Sequence, residues 1–395
     1  MGKFTISFRK ISNKDVASVG GKNASLGEMI QVLGPLGIQV PDGFATTADA
    51  FRVFLSENNL VKALADTLDK LDKVHLSNLH EVGEACRNLL RNGVLPELLK
   101  SDIVESYRLL AANQPISVAV RSSATAEDLP TASFAGQHDS FLNIIGEDNL
   151  LKAVHRCFVS LFNDRAIKYR LDNGFDHMQV ALSAGVQRMV RSDKGSAGVI
   201  FTIDPETGFD KVIYLTSAWG LGENVVQGAV NPDEFYAFKP SIEKGFNSII
   251  FKKMGEKENK MIYDEGGEKP LKNVITTHSE RSTFSLEIED LGKLAEWSLK
   301  IEQHYGMPMD IEWAKDGLTG ELFIVQARPE TVHGQLEGIK VKEYTLKSTA
   351  KAITKGKAVG SKIASGRVCL VKSLADAVKV QEGDVIVADI TNPDW

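Results

Sequence analysis

Residues 310–329 read DIEWAKDGLTGELFIVQARP. Alternating apolar runs flank Lys315-Asp316-Gly317, which predicts a β-hairpin turning there. Side chains on a strand point to opposite faces in turn. Asp310 and Glu312 therefore share one face, and Ile311 and Trp313 take the other. On the return strand Gln326 and Arg328 share a face, with Val325 and Ala327 opposite. If the register brings these faces together, one side of the hairpin presents two carboxylates, an amide and a guanidinium. Hard oxygen donors of this kind suit Mg²⁺, which keeps several waters and shares a substrate's phosphates. An arginine beside them would neutralise charge on a transferring phosphoryl group. The same spacing equally describes a solvated hairpin face with an ordinary cross-strand ion pair, because polar-out alternation is the norm in half-buried sheets.

Two further stretches bear on anion binding. Gly20-Gly21-Lys22 stands in a turn ahead of a helix read over 24–33. A lysine beside flexible backbone at a helix start can meet a phosphate. It is not a P-loop, because Val16 stands where the upstream glycine belongs and Asn23 where Ser or Thr belongs. A plain turn with an exposed lysine fits it too. Ile116 to Val120 reads as a buried strand running into a small-residue loop from Arg121 to Asp128, with Ser133-Phe134-Ala135-Gly136-Gln137 after it. Backbone amides around Ser and Gly can cradle phosphates. A long surface loop is the other reading, and loops of that length are often functional.

Other signals are weak. Trp219-Gly220-Leu221-Gly222-Glu223 lacks the third glycine of a dinucleotide fingerprint. The eight histidines show no metal spacing, and His138 and His304 read as surface or packing residues. Ser122-Ser123 lacks the context of a hydrolase nucleophile elbow.

Working outward, Ile38 to Pro41 reads as a short edge strand and Thr47 to Leu110 as helical. Asn149 is placed as the cap of a helix ending near Asn173-Gly174. Residues 180–190 and 197–203 read as strands, and 291–305 as an amphipathic helix. The segment 340–362 is rich in Lys and Ala without a sustained apolar face, which reads as a linker. Strand-like alternation resumes over 366–389, too short to bury its own core. The 395 residues allow two or three domains, and 43% hydrophobic with 25% charged residues is an ordinary globular balance. Lys and Arg total 46 against 52 Asp and Glu, a net charge of −6. That excludes a broadly basic nucleic-acid coat but not a local basic pocket. Three widely spaced cysteines with no CxxC indicate neither a disulfide framework nor a zinc ribbon. MGKFTISFRK lacks the apolar core of a signal peptide, and no apolar run approaches a membrane span. A cytoplasmic protein is expected, with no nucleic-acid or membrane partner.

Several segments together resemble one family: VGGKNASLGEM, VPDGFATTADAF, VAVRSSATAEDLPTASFAGQHDSFLN, SLFNDRAIKYR, ALSAGVQRMVRSD, TSAWGLGENVVQGAVNPDEFY, GMPMDIEWAKDG and LFIVQARPETV. In order and register they are similar to the amino-terminal part of the phosphoenolpyruvate synthases (pyruvate, water dikinases) of the pyruvate phosphate dikinase family. The resemblance implies an α+β, two-lobed ATP-grasp fold closing over ATP. The lobes would be residues 1–190 and 191–335, followed by a linker at 336–362 and the start of a truncated, β-rich phosphohistidine (swivelling) domain at 363–395. It implies that Lys22 and Arg121 hold the triphosphate and that a loop through Gly136, Gln137 and Ser140 covers it. Gln187 and the backbone around Met189 would line the adenine pocket. Glu312 and Gln326, with Asp310 nearby, would hold Mg²⁺, and Arg328 would contact phosphate.

In the family, a histidine on the swivelling domain takes a phosphoryl group from ATP, and AMP is released. Water removes the outer phosphate as inorganic phosphate, and the carrier delivers the rest to pyruvate at a carboxy-terminal barrel. This chain has no Gly-Gly-x-Thr-x-His string and no barrel. It reads as a fragment cut inside a domain that binds Mg-ATP without completing the cycle. Its partners would be ATP and the missing phosphohistidine and pyruvate-binding domains, and a homo-oligomer is left open. Antibiotic phosphotransferases and glucan, water dikinases share this nucleotide half, so the acceptor stays open. A nucleotide-sensing module without transfer chemistry is the reading from another class.

Overall fold

The computed structural model describes residues 3–112, 114–125, 139–265, 269–330 and 363–388. The first sheet is built from β1 (Thr5–Ser7), β2 (Gly43–Thr46), β3 (Val118–Ala124), β4 (Ser140–Ile144) and β5 (Leu182–Arg188). Its order is β1-β2-β5-β3-β4, antiparallel throughout. Among the described residues, seven α-helices belong to this half of the sequence: α1 (Val16–Glu28), α2 (Ala48–Glu57), α3 (Leu60–Leu68), α4 (Leu79–Arg91), α5 (Glu97–Ala111), α6 (Glu147–Ser160) and α7 (Asp164–Asp172). Their apolar faces and the sheet make one core, in which the Phe51 ring of α2 meets Phe158 of α6 edge-on at 5.2 Å.

Five local readings shift. The helical stretch 47–110 is four helices. The helix expected to run from Asn149 to Asn173 is two, because the chain turns at 161–163. The turn is fixed by buried arginines: Arg170 donates to the Leu161 carbonyl at 2.7 Å and Arg87 to that of Phe162 at 2.8 Å. Gly146, not Asn149, caps α6. The strand expected at 38–41 forms instead at Gly43–Thr46 and is interior, since Pro41 has no N–H to give a central ladder. Finally, Arg121 to Ala124 continue β3 rather than opening a loop.

The second sheet has the order β13-β12-β6-β7-β8-β9 and is also antiparallel throughout. Its strands are β6 (Ser196–Phe201), β7 (Val212–Trp219), β8 (Asp233–Phe238), β9 (Ile249–Lys253), β12 (Met309–Lys315) and β13 (Leu322–Pro329). Between them, β10 (Asn259–Tyr263) and β11 (Leu271–Ile275) pair as a separate ribbon. Helices α8 (Glu223–Val226), α9 (Lys239–Glu243), α10 (His278–Arg281) and α11 (Ile288–Tyr305) complete this half. The core buries Leu291, Leu294 and Trp297 of α11 against Met309, Ile311 and Trp313 of β12. Phe8, Ile11, Val19, Met29 and Leu33 belong to this same core, so the amino-terminal segment packs against strands that follow it by more than a hundred residues. The architecture is mixed α+β.

Near the end, β14 (Val368–Leu370) and β15 (Val385–Val387) pair in parallel. Val368 and Leu370 are 63% and 64% exposed, so this pair buries little. The expected linker at 336–362 and the final residues 389–395 lie outside the described residues.

Candidate functional site

A cleft of about 1050 Å³ is lined by residues of both sheets. Of the residues singled out from sequence, Lys22, Arg121, Ser140, Gln187, Met189, Glu312, Gln326 and Arg328 all line it. Gly136 and Gln137 lie outside the described residues. Asp310 does not line the cleft.

Lys22 is placed by a break in α1. Gly20 has φ 75° and ψ 165°, and a Cβ there would run into the hydroxyl and carbonyl of Ser123. Only glycine adopts this conformation freely. The helix restarts at residue 21, with Lys22 in its first turn. Asn23 is buried and pins that turn: its side chain donates to Ser183 Oγ at 2.9 Å and its backbone N–H to Ser123 Oγ at 3.3 Å. Those two serines sit on β5 and β3, which explains why Ser122-Ser123 is strand and not loop.

Arg121 leaves β3 between buried neighbours and reaches across to the other sheet. Its Nη1 stands 3.7 Å from Glu312 Oε2 of β12 and 3.5 Å from the Val325 carbonyl of β13. Gln187 is 3% exposed on β5, and its amide donates to the Pro41 carbonyl at 3.4 Å. The Met189 N–H donates to the Ser117 carbonyl at 3.0 Å, so the strand-to-strand connection starts from fixed backbone.

The hairpin has the register that the alternation required: Asp310 stands opposite Arg328 and Glu312 opposite Gln326. The connection runs over 316–321, longer than the expected turn, and Asp316 Oδ1 accepts from the N–H groups of Leu318 and Thr319. Arg328 donates through Nε (2.8 Å) and Nη2 (2.6 Å) to Asp310 Oδ2. Burial pushes the Asp310 carboxyl up from its ordinary range; the Arg328 guanidinium opposes this, while Glu312 and Glu330 add to it. The register slips between Glu312 and Trp313, leaving Val325 as the extra residue of a bulge. Val325 therefore lines the cleft alongside Gln326, where strict alternation had set them on opposite faces.

The cleft has two kinds of lining. Val190, Ala197 and Ala314 form a buried apolar cluster, with Phe323 and Val325 against it. Lys22, Arg121 and Arg328 supply positive charge elsewhere along its walls, with Glu312 and Gln326 as oxygen donors. An amide oxygen and a carboxylate on opposed strands are hard donors suited to Mg²⁺, which takes few protein ligands when phosphates supply others. Among the described residues no group of three or more His, Cys, Asp or Glu could hold a metal ion.

Some lining residues carried no sequence signal. Arg156 lies over the Phe141 ring at 4.2 Å, and Arg165 pairs with Asp139 at 3.2 Å. Each is one basic residue on a helix, and only tertiary packing aims it at the cleft. Leu221, Gly222 and Glu223 also line it, so the stretch that fails as a dinucleotide fingerprint is a wall of this site. His304 pairs with Glu28 at 3.0 Å, a packing role as read, and His138 lies outside the described residues. All three cysteines are free and buried. Among the described residues no helix is long and apolar enough to cross a membrane.

Residues 16–348 match the family described as "Pyruvate phosphate dikinase, AMP/ATP-binding domain". The chain is 50% identical over 398 residues to the phosphoenolpyruvate synthase of Neisseria meningitidis serogroup B, covering 99% of this chain and 50% of that protein. It is 50% identical over 391 residues to the phosphoenolpyruvate synthase of Escherichia coli K12, covering 98% and 49%. The probable phosphoenolpyruvate synthase of Methanocaldococcus jannaschii is 41% identical over 398 residues, with 99% and 32% covered. The chain spans about half the length, or less, of these relatives. On these matches the chain belongs to the pyruvate phosphate dikinase AMP/ATP-binding family.

Proposed function

We propose that the cleft binds Mg-ATP and that this chain is the nucleotide half of a phosphoenolpyruvate synthase. The observation that carries this reading is the reach of Arg121 from β3 to Glu312 of β12. It brings cations from one sheet and oxygen donors from the other into one cleft, as an ATP-grasp fold closing two lobes over a nucleotide would need. In this reading residues 1–190 and 191–335 are the lobes, 336–362 the linker and 363–395 the start of the phosphohistidine domain.

The apolar cluster of Val190, Ala197 and Ala314, with Gln187 and the backbone around Met189, takes adenine. Lys22 and Arg121 neutralise the triphosphate. Glu312 and Gln326 would hold Mg²⁺, which when bound offsets charge on the phosphates. Asp310, engaged by Arg328, positions that arginine toward phosphate rather than acting as a direct ligand. The activity proposed for the whole protein converts ATP, pyruvate and water to AMP, phosphoenolpyruvate and phosphate through a phosphohistidine carrier. Its partners would be the phosphohistidine and pyruvate-binding domains, in a cytoplasmic setting.

The test is calorimetric titration of this chain with Mg-ATP and with adenosine, with products assayed afterwards. Saturable Mg-ATP binding without AMP release is expected. Lys22→Ala should weaken Mg-ATP about tenfold or more while leaving adenosine nearly unchanged, since a charge-assisted phosphate contact contributes about 1.5–3 kcal/mol. No binding by the unaltered chain would overturn the reading. An equal loss for both ligands would remove Lys22 from the phosphate site.

A further inference from the structure

We propose that a hollow on the face of the second sheet opposite the cleft binds a small organic carboxylate, with Lys194 and the Ser196 hydroxyl donating to its oxygens. The site shares no lining residue with the cleft and does not depend on the nucleotide reading.

Strand register makes the hollow. Ser196 of β6 stands opposite Lys315 of β12 on one side and Trp219 of β7 on the other. Residues directly opposite on paired strands share a face, so these three side chains form one row. Their chain neighbours Ala197 and Ala314 line the cleft, so the row lies on the other face. Phe284, Leu286 and Glu287, ahead of α11, complete the lining of a hollow of about 260 Å³. Its rim is backbone packed on backbone. A Cβ on Gly195 would stand 2.4 Å from the Lys315 carbonyl oxygen, and one on Gly317 2.1 Å from that of Lys194. Lys194 therefore leaves from a turn held against the hairpin connection.

Taken ion by ion, the lining has one charge left over. Lys315 Nζ is held by Asp290 Oδ2 at 2.5 Å, with Glu287 Oε2 at 3.7 Å. The Asp316 carboxylate accepts from the N–H groups of Arg191, Leu318 and Thr319. Among the described residues nothing pairs with the Lys194 ammonium. Ser196 is 1% exposed, and its hydroxyl has no hydrogen-bond partner among the described residues. A buried hydroxyl in that state is unfavourable until a ligand supplies the partner. Trp219 donates its Nε1–H to the Glu280 carbonyl at 2.8 Å, which leaves its ring as an apolar wall beside Phe284 and Leu286. One unpaired cation, one unpaired hydroxyl and apolar walls suit a single carboxylate on an apolar body. The volume lies below the roughly 300 Å³ at which ordinary ligand sites begin, so that body is small. A bare phosphate would leave the ring faces uncovered.

The experiment follows the fluorine NMR linewidth of 4-fluorobenzoate on this chain, with 4-fluorobenzamide as the neutral isostere and inorganic phosphate as a competitor. The unaltered chain should bind 4-fluorobenzoate with a dissociation constant of about a millimolar and prefer it to the amide about tenfold. Lys194→Ala should abolish that preference. Ser196→Ala should weaken 4-fluorobenzoate about threefold or more while the melting temperature holds or rises, because the change deletes a hydroxyl that has no partner. Arg121→Ala alters the cleft and should leave 4-fluorobenzoate binding as it was. No saturable binding, equal binding of the amide, displacement by equimolar phosphate, or a loss in Arg121→Ala rather than in Lys194→Ala each overturns the proposal. A lower melting temperature in Ser196→Ala would show the hydroxyl already engaged and remove it from the site.

Discussion

Arg170 is fully buried on α7, and among the described residues no carboxylate pairs with it. Its Nη1 donates to the Leu161 carbonyl, its Nε donates to His177 Nδ1 at 3.0 Å, and its guanidinium lies 5.5 Å from the centre of the Phe162 ring. The donor from Arg170 obliges His177 Nδ1 to accept, which only the unprotonated nitrogen can do. Burial and then the Arg170 charge lower His177 to about 4. In the unfolded chain the same imidazole takes its proton near 6.5. Between these values the unfolded state binds more protons, so stability is present above about 6.5 and is lost as pH falls toward 4. The melting temperature should therefore drop steadily from pH 6.5 to 4.5. His177→Asn, which keeps an acceptor and cannot titrate, should flatten part of that slope. An unchanged slope in the variant would assign the acid sensitivity to other groups.

At the scale of elements, the break in α1 decides whether Lys22 reaches the cleft. Gly20→Ala puts a side chain where φ is 75° and where Ser123 already stands. It should cost about 1–3 kcal/mol and weaken Mg-ATP, because the turn carrying Lys22 is displaced. Gly34→Ala is the control: nothing lies within 4 Å of the added Cβ and φ is −52°, so stability and affinity should hold. Thermal melts and calorimetry read both, and equal behaviour of the two variants would detach the break from the site. The hairpin was legible from sequence because both its period and its register are local, and Asp310, Glu312, Gln326 and Arg328 followed from alternation. Its bulge was not legible, since one extra residue at Val325 leaves no mark on the pattern. Nor was the extension of β3 through Arg121. Ser122 and Ser123 look like loop residues until Asn23, a hundred residues away in sequence, is seen to bond Ser123 Oγ. Arg156, Arg165 and Glu223 were hidden for the same reason: the face a helix or turn shows to a cleft is set by distant partners.

For the whole molecule, the two hydrophobic cores do not divide the chain in sequence order. Phe4 and Phe44 belong to the first, whereas Phe8, Ile11, Val19, Ile38 and Ala45 belong to the second. On β2 the adjacent residues Phe44 and Ala45 thus enter different cores, as neighbours on a strand pointing to opposite faces must. Unfolding either core would strip apolar cover from an element that the other also needs. Burial contributes roughly 25 cal/mol per Å² of apolar surface, so the shared segment couples the two thermodynamically. Scanning calorimetry of this chain should therefore show one main endotherm spanning both sheets, without separate transitions for residues before and after 190. A saturating ligand that bridges Arg121 and Glu312 should raise that single transition, by about 2.7 kcal/mol of stability at roughly a hundred times its dissociation constant. Two well-separated endotherms, with only one moved by Mg-ATP, would show that the amino-terminal segment does not couple the cores and that the nucleotide engages one sheet alone.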